Sequence, residues 1–137
     1  MSREIKFRGK LMEDNEWDFG DLREKNGKSY IFPKGELTFK HFAYEVFPDT
    51  VGQYTGLKDK NGVEIYEGDI VDVWSQGSHI TDGIIKWGNG RCGFFIGNPT
   101  GSIVWNLSGD QYGYETLKVI GNIYDNPELI GGEEGKS

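Results

Sequence analysis

The chain has little of what most catalytic or secreted proteins require. It carries one cysteine in 137 residues, so an internal disulfide framework is excluded and a reducing compartment is expected. It has two histidines, His41 and His79. Neither has a His or Cys partner at i+3 or i+4, so no zinc ligand set and no metal site are expected. A triad needs nucleophile, base and orienting group within reach of one another, and no such set is legible; no catalytic residue and no cofactor are expected. No apolar run approaches the roughly 18 residues of a membrane span. The N-terminal Met-Ser-Arg-Glu-Ile-Lys-Phe-Arg has no apolar core, so a signal peptide is not expected there and a cytoplasmic protein is. Basic charge is also scarce: 15 Lys and Arg stand against 22 Asp and Glu, for a net charge of −7. That balance argues against bulk binding to a phosphate backbone and leaves room for a local basic face.

Glycine and aromatics are abundant. There are 21 glycines, about twice the ordinary share, and aromatics make up 14% of the chain, including four tryptophans. The aromatics exclude a disordered polymer, and the glycines point to many tight turns. Ile5, Phe7, Gly9 and Leu11 alternate with Lys6, Arg8 and Lys10, which predicts a strand with its apolar side in and its basic side out. Trp17-Asp18-Phe19 reads as its hairpin partner. Asn26-Gly27, Asn61-Gly62, Gly68-Asp69 and Asn89-Gly90 are turn signals. Strands are expected at Tyr30–Phe32, Ile70–Trp74, Ile80–Trp87, Gly93–Ile96, Ile103–Trp105 and Leu117–Tyr124. Residues 37–47 fit a helical stripe and a strand equally well, with aromatic and β-branched content tipping toward strand. Asn126-Pro127-Glu128 predicts one helical turn with Asn126 as its N-cap.

Short strands with turn signals every eight to twelve residues predict a mainly β protein: a small SH3-like barrel or β-sandwich with additional N-terminal strands and a short C-terminal helical turn. Residues 1–130 are expected to form a single β-rich domain, with strands in 1–62 packed on a barrel-like part, 63–124. Residues 131–137 are expected to be a disordered tail.

Three stretches carry a family resemblance: Arg3-Glu4-Ile5-Lys6-Phe7-Arg8, the long run Gln53 to Gly62 continuing through Glu64 to Val71, and Val119 to Leu129. In this order they resemble the YopX family of bacteriophage and prophage proteins. The chain departs from the family at Gly9-Lys10, where an aromatic often follows. The resemblance implies a phage or prophage origin and homo-oligomers. It implies no reaction and no catalytic residue.

Two groups of residues are candidates for binding. Lys6, Arg8 and Lys10 form the best nucleic-acid candidate, with Trp74, Trp87 and Trp105 as stacking partners if exposed; an ordinary solvated strand face and core tryptophans are the competing reading. Tyr54, Leu57, Lys58, Asp59 and Tyr66 are the candidate partner-binding loop, against the reading that this stretch sets turns and register. Asp59-Lys60-Asn61-Gly62 fits a hairpin far better than a calcium loop, whose downstream Glu it lacks at the required spacing. Glu13, Asp14, Glu16, Asp18 and Asp21 read as solvated turn acids, and Cys92, beside Arg91, as a small core residue. The expected function is a non-enzymatic accessory protein that binds a host or phage protein. The alternatives are a nucleic-acid-binding barrel that uses the first strand, and an acidic mimic of nucleic acid.

Overall fold

The computed structural model describes residues 4–33, 43–75, 77–88, 93–97, 103–106 and 117–130. His41, Cys92, the Asn89-Gly90 turn, most of the 37–47 segment and the 131–137 tail lie outside them. The chain divides into two compact units, Met1–Gly56 and Leu57–Ser137, where the sequence placed its boundary at residue 62. Among the described residues no helix is long and apolar enough to cross a membrane.

The first unit is built on a sheet of β1 (Phe7–Lys10), β2 (Trp17–Lys25), β3 (Lys28–Pro33), β4 (Tyr44–Val46) and β5 (Gly52–Lys58, whose last two residues belong to the second unit), in the order β4-β3-β2-β1-β5, with β6 (Glu64–Tyr66) continuing the same sheet beyond β5. Asn26 and Gly27 join β2 to β3 with φ of 55° and 80°. Both central residues of a type I′ turn need positive φ, and its twist matches that of the strands it joins, so Lys25 pairs squarely with Lys28. Residues 44–46 are strand, which resolves the described part of the ambiguous 37–47 segment. Val46 pairs with Ser29 and sits next to Leu11 through an isolated bridge. The sheet therefore curls until β4 touches both β3 and the end of β1. Gly9 permits that approach: a Cβ there would lie 2.8 Å from Val46 Cγ2. An aromatic at this position could not coexist with Val46 as placed, which gives the Gly9 departure a steric reason. Ile31 and Val46 are fully buried. The short 3-10 turn Pro48–Thr50 is tied down by Thr50, whose Oγ1 accepts from Lys10 N at 2.9 Å and donates to Phe47 O at 2.6 Å.

The second unit holds β6 (Glu64–Tyr66), β7 (Asp69–Ser75), β8 (Ser78–Trp87), β9 (Phe94–Gly97), β10 (Ile103–Asn106) and β11 (Leu117–Asn122). Five of these form an antiparallel sheet in the order β10-β9-β8-β7-β11. Of the two expected forms, SH3-like barrel or β-sandwich, the mainly β architecture with two sheets is found, and no closed barrel forms among the described residues. The last strand adds beside β7, leaving β10 and β11 at opposite edges, and no pairing among the described residues closes the sheet. Ile65, Val71, Val73, Ile85, Phe94, Ile96 and Leu117 form the buried cluster, with Leu57 and Val119 packed against it. Each such side chain contributes about 1.5–3 kcal/mol relative to exposure. The C-terminal helical turn is 3-10, Pro127–Ile130. Asn126 does not cap it forward with its side chain. Its Oδ1 instead accepts from Asn122 N at 3.1 Å, while Asn122 Oδ1 accepts from Tyr124 N and Asp125 N.

Asp59 is the pivot of this unit. The Asp59–Val63 turn is closed by Gly62 N donating to Asp59 O at 3.0 Å and Asp59 N donating to Val63 O at 2.8 Å. The Asp59 side chain, only 3% exposed, accepts from Asn61 N and Val63 N through Oδ1 and from Val119 N through Oδ2, at 2.8–2.9 Å. One carboxylate thus holds its own loop and grips a strand 60 residues away. Charge-assisted bonds of this kind are the strong class, and removing the acceptor orphans three donors. Asp59→Ala is expected to lower the free energy of unfolding by about 3 kcal/mol or more in urea titration, with Asp59→Asn intermediate because one acceptor oxygen remains. An Asp59→Ala protein as stable as the wild type would show the grip to be dispensable.

Candidate functional site

The residues preceding and forming β1 keep their alternation, so Lys6, Arg8 and Lys10 fall on one side of the strand. The expected "basic side out" is nevertheless incorrect for Arg8, which is buried. Its neighbours are the reason. Arg8 lies opposite Phe19 in the β1–β2 register and Lys10 opposite Trp17, so these four side chains share one face. The Arg8 guanidinium sits 4.5 Å and the Lys10 ammonium 5.6 Å from the centre of the Trp17 ring. Lys6 lies 5.2 Å from the centre of the Tyr54 ring and 3.6 Å from Glu4 Oε2. On β2 and β3, Arg23 stacks over Phe32 at 5.2 Å. Each cation–ring contact contributes about 0.5–1 kcal/mol where exposed and about 2 where desolvated. The expected apolar side is also mixed, because Ile5, just before the strand, is exposed.

The tryptophans named as stacking partners are placed elsewhere. Trp87 is 50% exposed and meets Phe94 edge-on at 4.7 Å. Trp74 is half-buried, with Lys60 over its ring at 5.9 Å. The Trp105 side chain lies outside the described residues. Trp17, on the basic face itself, was not singled out by sequence. Its signal was its place across a short turn from Lys10.

The partner-loop residues separate. Tyr54, Asp59 and Tyr66 are buried, Leu57 is half-buried and Lys58 is exposed. Burial removes Tyr54, Asp59 and Tyr66 from any contact surface, a correction to their reading as contact residues. Tyr66 N donates to the buried Asp69 Oδ2 at 2.7 Å and Tyr66 OH to Glu64 Oε1 at 3.0 Å. Of the turn acids, Asp14 Oδ1 accepts from Glu16 N and Asp18 Oδ1 from Phe19 N. Both carboxylates serve local backbone.

The second unit brings together three groups that sequence reasoning did not join. Asp72 on β7 and Asp82 on β8 are direct cross-strand partners. The register then slips: Val73 pairs with Thr81, but Trp74 pairs with His79. Residue 80 is thus a β-bulge. Without it, residues 79 and 82 would face opposite sides of the sheet; with it they share one. Asp82 Oδ1 accepts from His79 Nε2 at 2.9 Å, and Asp72 Oδ1 lies 3.6 Å from the same nitrogen. One ligand atom from each of the three lies within 4.8 Å of the others. The Trp74 ring meets the imidazole edge-on at 5.4 Å. His or Cys spacing at i+3 and i+4 does not find this group, whose other members are a carboxylate at i+3 across a bulge and another on the next strand.

Partial burial pushes the Asp72 carboxyl above the ordinary carboxylate range, helped by a hydrogen bond with Asp82 and by its charge. His79 and Lys118, the latter paired with Asp72 from β11, pull the other way. A carboxyl that holds its proton more tightly when folded stabilises the fold most at low pH, and that contribution fades as pH rises through the raised value. Asp72→Asn, which cannot ionise, is therefore expected to melt above the wild type at pH about 7, with the difference closing near pH about 4. Thermal melts across that range, in buffer with a chelator, test this; a gap independent of pH would place its origin elsewhere.

The fold thus defines a mainly antiparallel β protein built on two sheets, with a cation–aromatic face in one unit and an Asp-His-Asp cluster in the other. The chain belongs to the YopX protein family, which matches residues 6–131. It is also similar to the crystal structure of protein EF1440 from Enterococcus faecalis, at 26% identity and a TM-score of 0.59 over 94% of this chain and 99% of that one. No curated protein matches.

Proposed function

We propose that the protein is a non-enzymatic accessory protein of bacteriophage or prophage origin that works in the bacterial cytoplasm by binding a host or phage protein. Family membership supports the setting. The observation that carries the binding reading is Phe19, which is 42% exposed, on the same face as half-buried Trp17 and Lys10, with the buried Arg8 packed against the Trp17 ring beneath them. Arg and Trp dominate the energetics of protein interfaces, and here the rings hold the cations in place, so little side-chain entropy remains to be lost on binding. A complementary partner would present an acidic segment with an apolar anchor for Phe19.

Nucleic acid is the second reading, because Lys6, Arg8 and Lys10 do share a face. It is weakened by the net charge of −7 and by the cations the chain itself lays over Trp17, the half-buried ring on that face. Mimicry of nucleic acid needs a single-sign acidic face. The exposed acids Asp21 and Glu24 on β2 are instead interspersed with exposed Arg23, Lys25 and Lys28.

Affinity capture from host lysate, with and without nuclease, tests the readings. The expected result is a nuclease-resistant protein recovered by the wild type and reduced roughly tenfold or more by Phe19→Asp or Lys10→Glu, the scale of a hot-spot loss. Both variants are first checked for wild-type melting. A nuclease-sensitive signal absorbing at 260 nm would move the function to nucleic acid. A partner retained by both variants would remove this face from the interaction.

A further inference from the structure

We propose that Asp72, His79 and Asp82 form a binding site for a divalent first-row transition cation of the Zn2+ type. The residues supply one imidazole nitrogen and two carboxylate oxygens, a mixed donor set that suits Zn2+ and its neighbours better than Mg2+ or Ca2+, which prefer oxygen alone. Around an ion with bonds of about 2.0–2.1 Å, tetrahedral ligand atoms lie about 3.3 Å apart. His79 Nε2 is already 2.9 Å from Asp82 Oδ1 and 3.6 Å from Asp72 Oδ1, with all three groups within 4.8 Å. Side-chain adjustments of a fraction of an ångström would bring them onto one ion.

Three features set this apart from a chance group of surface acids. The imidazole is the central member, with Nε2 aimed between both carboxylates. Trp74 meets the ring edge-on and limits its rotation. The two aspartates are direct cross-strand partners, a like-charge placement that destabilises an antiparallel pair unless something positive lies between them. Lys118 stands opposite Asp72 on the other side but does not separate it from Asp82; an ion at His79 would. Three protein ligands leave a fourth position for water or for a partner's side chain.

Coordination needs the Nε2 lone pair of His79, so a proton on that nitrogen competes with the ion. Titration calorimetry of the full chain with ZnCl2, and with MgCl2 as comparator, tests the site. Cobalt(II) absorption reports whether a nitrogen ligand is present. The expected result is one equivalent of Zn2+ bound in the micromolar range or tighter, weak or absent Mg2+ binding, and a higher melting temperature with Zn2+. Asp82→Asn and His79→Ala should weaken binding by more than the about 10–100-fold that outer-shell partners cause, with the folding of each variant confirmed by a cooperative melt in chelator. His79→Gln keeps side-chain bulk and replaces His79→Ala should the latter fail to fold. No stoichiometric Zn2+ binding, equal affinity for Mg2+, or undiminished binding in the His79 variant would each overturn the assignment.

Discussion

The second unit depends on one buried carboxylate. Asp59 follows β5, and its two oxygens accept three backbone N–H groups. Two of those donors lie in its own turn and the third starts the bulged part of β11. Lys60 N donates to Leu117 O beside it. The turn and the edge strand therefore form or fail together, and with them the side of the apolar cluster that Leu117, Val119 and Leu57 supply. Burying an ion is costly unless its hydrogen-bonding capacity is met. Here it is met wholly by backbone, which makes the position specific for a short acid.

The same grip joins two of the stretches that carry the resemblance to the family. The central stretch from Gln53 to Val71 and the late stretch from Val119 to Leu129 are far apart in sequence. Asp59 reaches Val119, and Ile123 N donates to Gly68 O at 2.9 Å. Gly121 abuts Asn126, whose Oδ1 would lie 2.5 Å from a Cβ there, and Asn126 returns a bond to Asn122. The two stretches thus meet at one joint of the fold. A motif of this kind identifies a relative without identifying a ligand, which is why the buried Tyr54, Asp59 and Tyr66 offer little to a partner.

Much of the fold was legible because local chemistry forced it. Asn26-Gly27 could hardly be anything but a two-residue hairpin, and the alternation in β1 did put Lys6, Arg8 and Lys10 on one side. What escaped was non-local. The burial of Arg8 depends on which β2 residues lie across from it, and that register is set by a turn of acids and asparagine whose length permits several pairings. The open second sheet rather than a barrel depends on β11 joining β7. The Asp-His-Asp cluster depends on a single extra residue at position 80. A period-two reading assigns His79 and Asp82 to opposite faces, so the site was invisible to the very rule that located the strand.

The two candidate surfaces follow opposite electrostatic logic, and the difference bears on what each can bind. On the first sheet, Arg8 and Lys10 lie against the Trp17 ring and Lys6 against the Tyr54 ring. Those interactions survive in a dry interface and weaken little with salt, whereas phosphate binding by the same cations would be strongly salt-dependent. At long range the net charge of −7 repels a polyanion, so the patch acts only at contact, as suits a protein surface of mixed charge. On the second sheet, two acids face one another with a single imidazole between them. Lys118 stands across from Asp72 on the other side, and a cation held with His79 would relieve the like-charge contact that remains between the two acids.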